Sequence, residues 1–97
     1  MLLGRLVVTT DYQTIPVLEN KRREKCKLVI CNAGLEDDYL SLTIQDADNF
    51  PVATNLYSNF PILAGDTYTS QFELSLNNVI ELQAKSRRGL LNICVVN

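Results

Sequence analysis

Apolar and polar residues alternate with period two along most of this chain. Leu40, Leu42 and Ile44 alternate with Ser41, Thr43 and Gln45, the pattern of a strand with one face in a core. Cys26, Leu28 and Ile30 alternate with Lys25, Lys27 and Val29 in the same way, and Asn32-Ala33-Gly34 ends that strand with turn chemistry. The longest regular stretch is "PILAGDTYTSQFELSLNNVIELQAK", residues 61 to 85. Phe72, Leu74 and Leu76 point one way there, Gln71, Glu73 and Ser75 the other. After Asn77-Asn78 the alternation resumes through Ile80, Leu82 and Ala84. Two alternating runs joined by Asn-Asn predict a plain hairpin on a type I′ turn, because Asn tolerates the left-handed region.

Leu6 to Thr9 reads as a first strand and Asp11 to Pro16 as a loop or irregular extended stretch. Asp46-Ala47-Asp48-Asn49 is a turn, and Val52 to Tyr57 returns antiparallel to the strand before it. Ser58-Asn59 breaks the chain again. Phe60 to Leu63 is extended around Pro61, which suits a sheet edge or a strand's first residue. Leu91 to Val96 is the last strand, entered through Arg87-Arg88-Gly89, where a glycine supplies the positive φ of a short hairpin loop. Leu91, Ile93 and Val95 make one apolar face of it, and Leu90, Cys94 and Val96 the other. Such a strand is central in a packed layer or covered by a neighbouring subunit. "NNVIELQAKSRRG" also fits a helix, with Asn78 as N-cap, Glu81 at the third helical position and Gly89 after its end. Strands are the better fit, since that helix would interrupt a run of strand-like segments.

Short alternating strands separated by turns predict an all-β fold. The expected architecture is a single small antiparallel β-sandwich, jelly-roll-like or Ig-like, with little or no helix. Residues 1–97 make one domain, with 1–15 as an extended N-terminal strand or arm.

Composition narrows the function. Hydrophobic residues make up 46% and charged residues 21%, an ordinary globular balance. A core this small favours self-association. A net charge of −2 gives no global pull toward nucleic acid or acidic lipid. The apolar runs are too short to cross a bilayer as a helix. Met1-Leu2-Leu3-Gly4-Arg5 does not begin a signal peptide, which points to synthesis in the cytosol.

Candidate chemistry is sparse. There is no histidine, so the usual general base for a nucleophilic Ser or Cys is missing. Cys26, Cys31 and Cys94 form no CxxC pair and read as small reduced apolar residues. Asp46-Ala47-Asp48-Asn49 starts like a calcium loop, but Phe50 falls where a ligand belongs and the distal bidentate Glu is absent. Glu36-Asp37-Asp38 reads as a solvated loop. Lys21, Arg22 and Arg23, with Lys25 and Lys27, are the one basic cluster. Glu19 and Glu24 dilute it, so a solvated loop or a contact with an acidic protein partner suits it better than nucleic acid. No enzyme, cofactor or metal site is expected.

"IPVLENKRREKCKLVICNAG", "LSLTIQD", "FPILAGDTYTS" and "FELSLNNVIELQAKSRRGLLNICVV" together resemble small β-sandwich virion proteins of tailed bacteriophages. Pro16, Leu28 to Gly34, Leu40 to Ile44, Pro61 to Gly65, Leu74 to Leu82 and Leu91 to Val96 carry that likeness. It spans roughly residues 12 to 97; Asn77-Asn78 departs from the Gly-Asp common at the hairpin, and the basic run is denser than the pattern. The resemblance implies a non-enzymatic structural role, foremost a capsid cement (decoration) protein assembled in the host cytoplasm and resident on the virion. Its implied partners are the major capsid protein and itself, as dimer or trimer. Candidate contacts are Leu3, Leu6 and Val8 with Leu2 and Val7 on the first strand, Leu90, Cys94 and Val96 on the last, and Lys21, Arg22 and Arg23. The alternatives are a neck, tail or fibre-associated component, or a carbohydrate-binding sandwich using Tyr12, Tyr39, Tyr57 or Tyr68.

Overall fold

Inward-pointing apolar series from alternate strands meet in one core. The computed structural model describes residues 2–16, 25–46, 53–71, 73–75 and 79–97. Its strands are β1 (Leu2–Val7), β2 (Gln13–Thr14), β3 (Lys25–Asn32), β4 (Asp38–Asp46), β5 (Thr54–Ile62), β6 (Thr67–Thr69), β7 (Leu74–Ser75), β8 (Val79–Ser86) and β9 (Leu91–Val96). No helix occurs among the described residues.

Hydrogen bonding sorts the strands into two antiparallel sheets. The first runs β1-β9-β3-β6, and the second runs β2-β8-β4-β5. β7 also pairs with β3, at Lys25↔Ser75 and Cys26↔Leu74, while β6 pairs with it at Val29↔Thr69 and Cys31↔Thr67. β9 holds the other side of β3, so β6 and β7 act as one interrupted edge strand. Counting them as one, eight strands remain. Every step along the chain crosses from one sheet to the other except β4 to β5. That wrapping is a jelly roll.

The alternation of β3 and β4 is observed as read. Cys26, Leu28 and Ile30 are buried, as are Leu40, Leu42 and Ile44. Leu91, Ile93 and Val95 of β9 join them, with Leu82 and Ala84 from β8 and Ile15 after β2. Each large side chain in this cluster stabilises the fold by about 2 kcal/mol through burial. β9 is central, flanked by β1 and β3. Tyr57, Phe60 and Tyr68 close one margin of the sandwich, with ring centroids 4.8 Å apart for Tyr57–Phe60 and for Phe60–Tyr68.

Several local expectations change. The hairpin expected across 61–85 is not formed by its described strands: β7 bonds β3 in the first sheet, and β8 bonds β4 and β2 in the second. Residues 79–86 are strand, not helix. Asn77 and Asn78 lie outside the described residues, as do Phe72, Leu76, residues 17–24 and residues 47–52. Residues 87–90 are likewise a corner between sheets, because β8 and β9 are not partners; Gly89 does take the positive φ, at 70°. Ser58-Asn59 is not a break. β5 continues to Ile62, and its register slips where Leu40↔Phe60 is followed by Leu42↔Tyr57. Asn59, at φ 52°, absorbs that bulge. The first strand begins at Leu2 and ends at Val7, earlier than Leu6 to Thr9, and Gln13–Thr14 within the expected loop pairs with β8. Pro61 sits on the edge strand of its sheet, where its missing N–H costs no ladder bond.

Candidate functional site

The outer face of the first sheet is rich in apolar side chains. Directly opposed residues share a face, so the register gives its rows. Leu2, Val96 and Lys27 form one row. Arg5, Cys94, Val29 and Thr69 form the next, and Val7, Asn92, Cys31 and Thr67 a third. Val7 is 67% exposed and Leu2 48%. Val29, Cys31, Cys94 and Val96 are half-buried by their neighbours alone. Leu2, Val7, Val29, Cys31, Cys94 and Val96 are the apolar members of these rows, interspersed with Arg5, Lys27, Asn92, Thr67 and Thr69.

The outer face of the second sheet is polar. Ser41↔Lys85, Thr43↔Gln83 and Gln45↔Glu81 oppose each other across β4 and β8. Thr14 donates its hydroxyl to Glu81 at 3.3 Å. Lys85 Nζ lies 4.7 Å from the Tyr12 ring, and the Arg87 guanidinium carbon 4.6 Å from the Tyr39 ring. Arg87 Nε donates to Asn59 Oδ1 at 3.3 Å. A cleft of about 180 Å³ lies among Thr10, Tyr39, Ser41, Asn59 and Lys85.

One end of the sandwich is built from four connections, residues 8–12, 33–37, 63–66 and 87–90. Two buried polar side chains lock it. Asn32 Nδ2 donates to the carbonyls of Glu36 at 2.8 Å and Ile62 at 2.9 Å, while its Oδ1 accepts from Gly34 N at 2.9 Å. Asp38 Oδ1 accepts from Tyr39 N at 2.8 Å and Arg88 N at 2.9 Å, and Oδ2 from Leu90 N at 3.0 Å. Burial pushes the Asp38 carboxyl up. The N–H groups of Leu90 and Tyr39, the Ser86 hydroxyl and the Arg88 N–H together outweigh it and hold the group below the usual carboxylate range. Asp38 therefore staples the start of β4 to the β8–β9 corner and is not a solvated loop residue. Glu36 pairs with Arg88 at 2.7 Å on the surface.

The sequence-predicted contacts scatter. Leu3 and Val8 are buried in the chain's own core, and Leu6 packs against it. Leu90 is half-buried beneath Gly34, where an added Cβ would stand 2.7 Å from Leu90 Cδ1. Cys94 and Val96 lie on the apolar outer face, joined there by Val29 and Cys31, which sequence reading left out. Lys21, Arg22 and Arg23 lie outside the described residues. Of the tyrosines, Tyr57 and Tyr68 are half-buried in the aromatic margin. Burial first, then its hydrogen bond and charge coupling with Tyr68, raises the Tyr57 hydroxyl well above its ordinary pKa. Tyr12 and Tyr39 remain on the polar face.

All three cysteines are free thiols. Burial raises the Cys26 pKa, and a backbone hydrogen bond with Leu74 only partly offsets that. Among the described residues no three of His, Cys, Asp or Glu gather as a metal site. No family model matches the chain, and neither a curated protein nor a solved structure matches it.

Proposed function

We propose that this protein is a non-enzymatic adhesion module of a virus particle: a capsid cement protein of a tailed bacteriophage that bridges and stabilises subunits of the major capsid protein. The observation that supports it is the contrast between the two outer sheet faces. A face that carries apolar residues in every row, with Leu2 and Val7 exposed, is costly to leave in water, and exposed apolar surface of that kind is a mark of a contact surface. On this reading the outer face of β1-β9-β3-β6 lies on the shell, the polar face of β2-β8-β4-β5 faces solvent, and the protein resides on the virion. Binding only the assembled lattice stabilises that lattice by mass action, repeated over many copies. A neck, tail or fibre-associated position uses the same face and differs in stoichiometry. Quantifying the protein per purified particle tests the proposal. A number approaching that of the capsid protein supports cement; a few copies per particle point to the neck or tail; absence from the particle ends both.

The polar face favours a second reading. Tyr39 lines the cleft of about 180 Å³ with Ser41, Asn59 and Lys85, and Lys85 in turn lies over the Tyr12 ring. Aromatic rings beside convergent polar groups are what a carbohydrate-binding module presents. Glycan binding that Tyr39→Ala abolishes would establish it.

A further inference from the structure

We propose that the cleft on the polar face of the second sheet binds an acidic sugar, its negative group held by the Lys85 ammonium and the Arg87 guanidinium, a proposal that rests on the carbohydrate reading of that face. Both cations line the one cleft, with Tyr39, Ser41 and Asn59, and no carboxylate lines it among the described residues. Arg88 next door has its counter-ion in Glu36, at 2.7 Å. Lys85 and Arg87 have none among the described residues. Each lies instead against a tyrosine ring, Lys85 on Tyr12 and Arg87 on Tyr39. A ring contact holds a cation in place without neutralising it. Arg87 is fixed further: its N–H donates to the Tyr39 carbonyl at 3.2 Å, and its Nε donates to Asn59 Oδ1 at 3.3 Å. Its two terminal nitrogens are left to form the fork that pairs with an oxyanion.

The neutral lining agrees with the charge. Ser41 is only 8% exposed, and its hydroxyl oxygen accepts from Asn59 N at 3.3 Å. The hydroxyl proton has no acceptor among the described residues, and neither has the Asn59 Nδ2 group. Asn59 reaches the cleft because β5 bulges there, with Asn59 at φ 52°. Bulges re-aim side chains beside sites, and a non-glycine residue held at positive φ is strain that clusters at them. Donors and cations therefore converge where acceptors are few, which selects a ligand rich in acceptor oxygens and negatively charged. A volume of about 180 Å³ exceeds what a bare inorganic anion fills, at about 30 Å³ for a single water. It is below the roughly 300 Å³ at which drug-sized pockets begin. One sugar ring carrying a carboxylate or a phosphate meets both limits.

Titration of the full chain, followed by its backbone amide and Arg87 Nε–H resonances in NMR spectra, tests it with four probes: glucuronate, glucose 6-phosphate, glucose and inorganic phosphate. The expected result is saturable binding of an acidic sugar with a dissociation constant of about 5 mM or below, shifting the resonances of Tyr39, Ser41, Asn59, Lys85 and Arg87. Glucose and inorganic phosphate should each bind at least about tenfold more weakly. Lys85→Gln and Arg87→Gln should each weaken the acidic sugar at least about tenfold with the β circular-dichroism spectrum unchanged, and Arg88→Gln, outside the cleft, by less than about twofold. Which of glucuronate and glucose 6-phosphate binds tells a carboxylate from a phosphate, and either supports the proposal. Glucose binding at this cleft as tightly as its acidic forms overturns it and leaves the carbohydrate reading standing. Inorganic phosphate binding as tightly as the sugars overturns it as well, since the sugar ring is then not recognised. No binding of any probe at these residues ends both.

Discussion

The two outer faces of this sandwich follow the same period-two grammar and differ in chemistry. Across β4 and β8 three opposed outward pairs are polar: Ser41 with Lys85, Thr43 with Gln83, Gln45 with Glu81. Across β9 and β3 the outward pairs include Cys94 with Val29, and Val96 beside Lys27. Both sheets present an apolar inner face to the same core. Folding therefore needs nothing from the outward residues of either sheet beyond strand propensity. The apolar choice on one face and not the other is a cost that folding alone does not offset, and the proposed function makes that face the contact surface.

The largest effect expected lies where the two sheets are stapled together. Asp38→Ala leaves the N–H groups of Tyr39, Arg88 and Leu90 without their acceptor and should cost about 3 kcal/mol in chemical denaturation. Its pH dependence has a definite sign. The folded carboxyl titrates below its unfolded value of about 3.9, so its contribution is complete above that pH and is lost as pH falls through the folded value. Asp38→Asn should flatten the acid limb of the stability curve; an unchanged limb would remove Asp38 from this role.

A pair of substitutions contrasts the faces directly. Val29→Asp should weaken attachment to particles by about a hundredfold, roughly 2.7 kcal/mol, with less than about 1 kcal/mol lost in stability. Thr43→Asp on the polar face should change attachment by less than about twofold. Equal losses would mean that neither face is special. The thiols give a smaller signal. Cys31 and Cys94 should react with a thiol reagent in the native protein, and Cys26 only on unfolding, because burial disfavours its thiolate. Smallest of all, Arg87→Ala removes a guanidinium stacked on Tyr39 and should cost about 0.5 kcal/mol, read as a shift in denaturation midpoint.

Much of the fold was legible in the sequence, because inward series such as Leu40, Leu42 and Ile44 are set by period alone. Partner choice was not. A run of alternating residues reads the same whether the next strand joins it in a hairpin or crosses to the other sheet, so β7 and β8 looked like partners and are not. The key polar residues did leave a signal that the acidic-loop reading passed over. Asp38 is in phase with Leu40, Leu42 and Ile44; Asn32 with Cys26, Leu28 and Ile30; Ser86 with Leu82 and Ala84. Each extends an inward-facing series by one step, and each is buried. The apolar outer face was half-legible. The two faces of β9 showed it, but Val29 sits among Lys25 and Lys27 and was counted with the polar side of its strand.

The two native thiols on the outer face of the first sheet, Cys31 and Cys94, report on that surface without any mutation. Their labelling rates, compared between the free protein and the protein on intact particles, test the proposed contact face most directly. The account predicts fast labelling in solution and protection of at least about tenfold on the particle. Equal rates in the two states would contradict it.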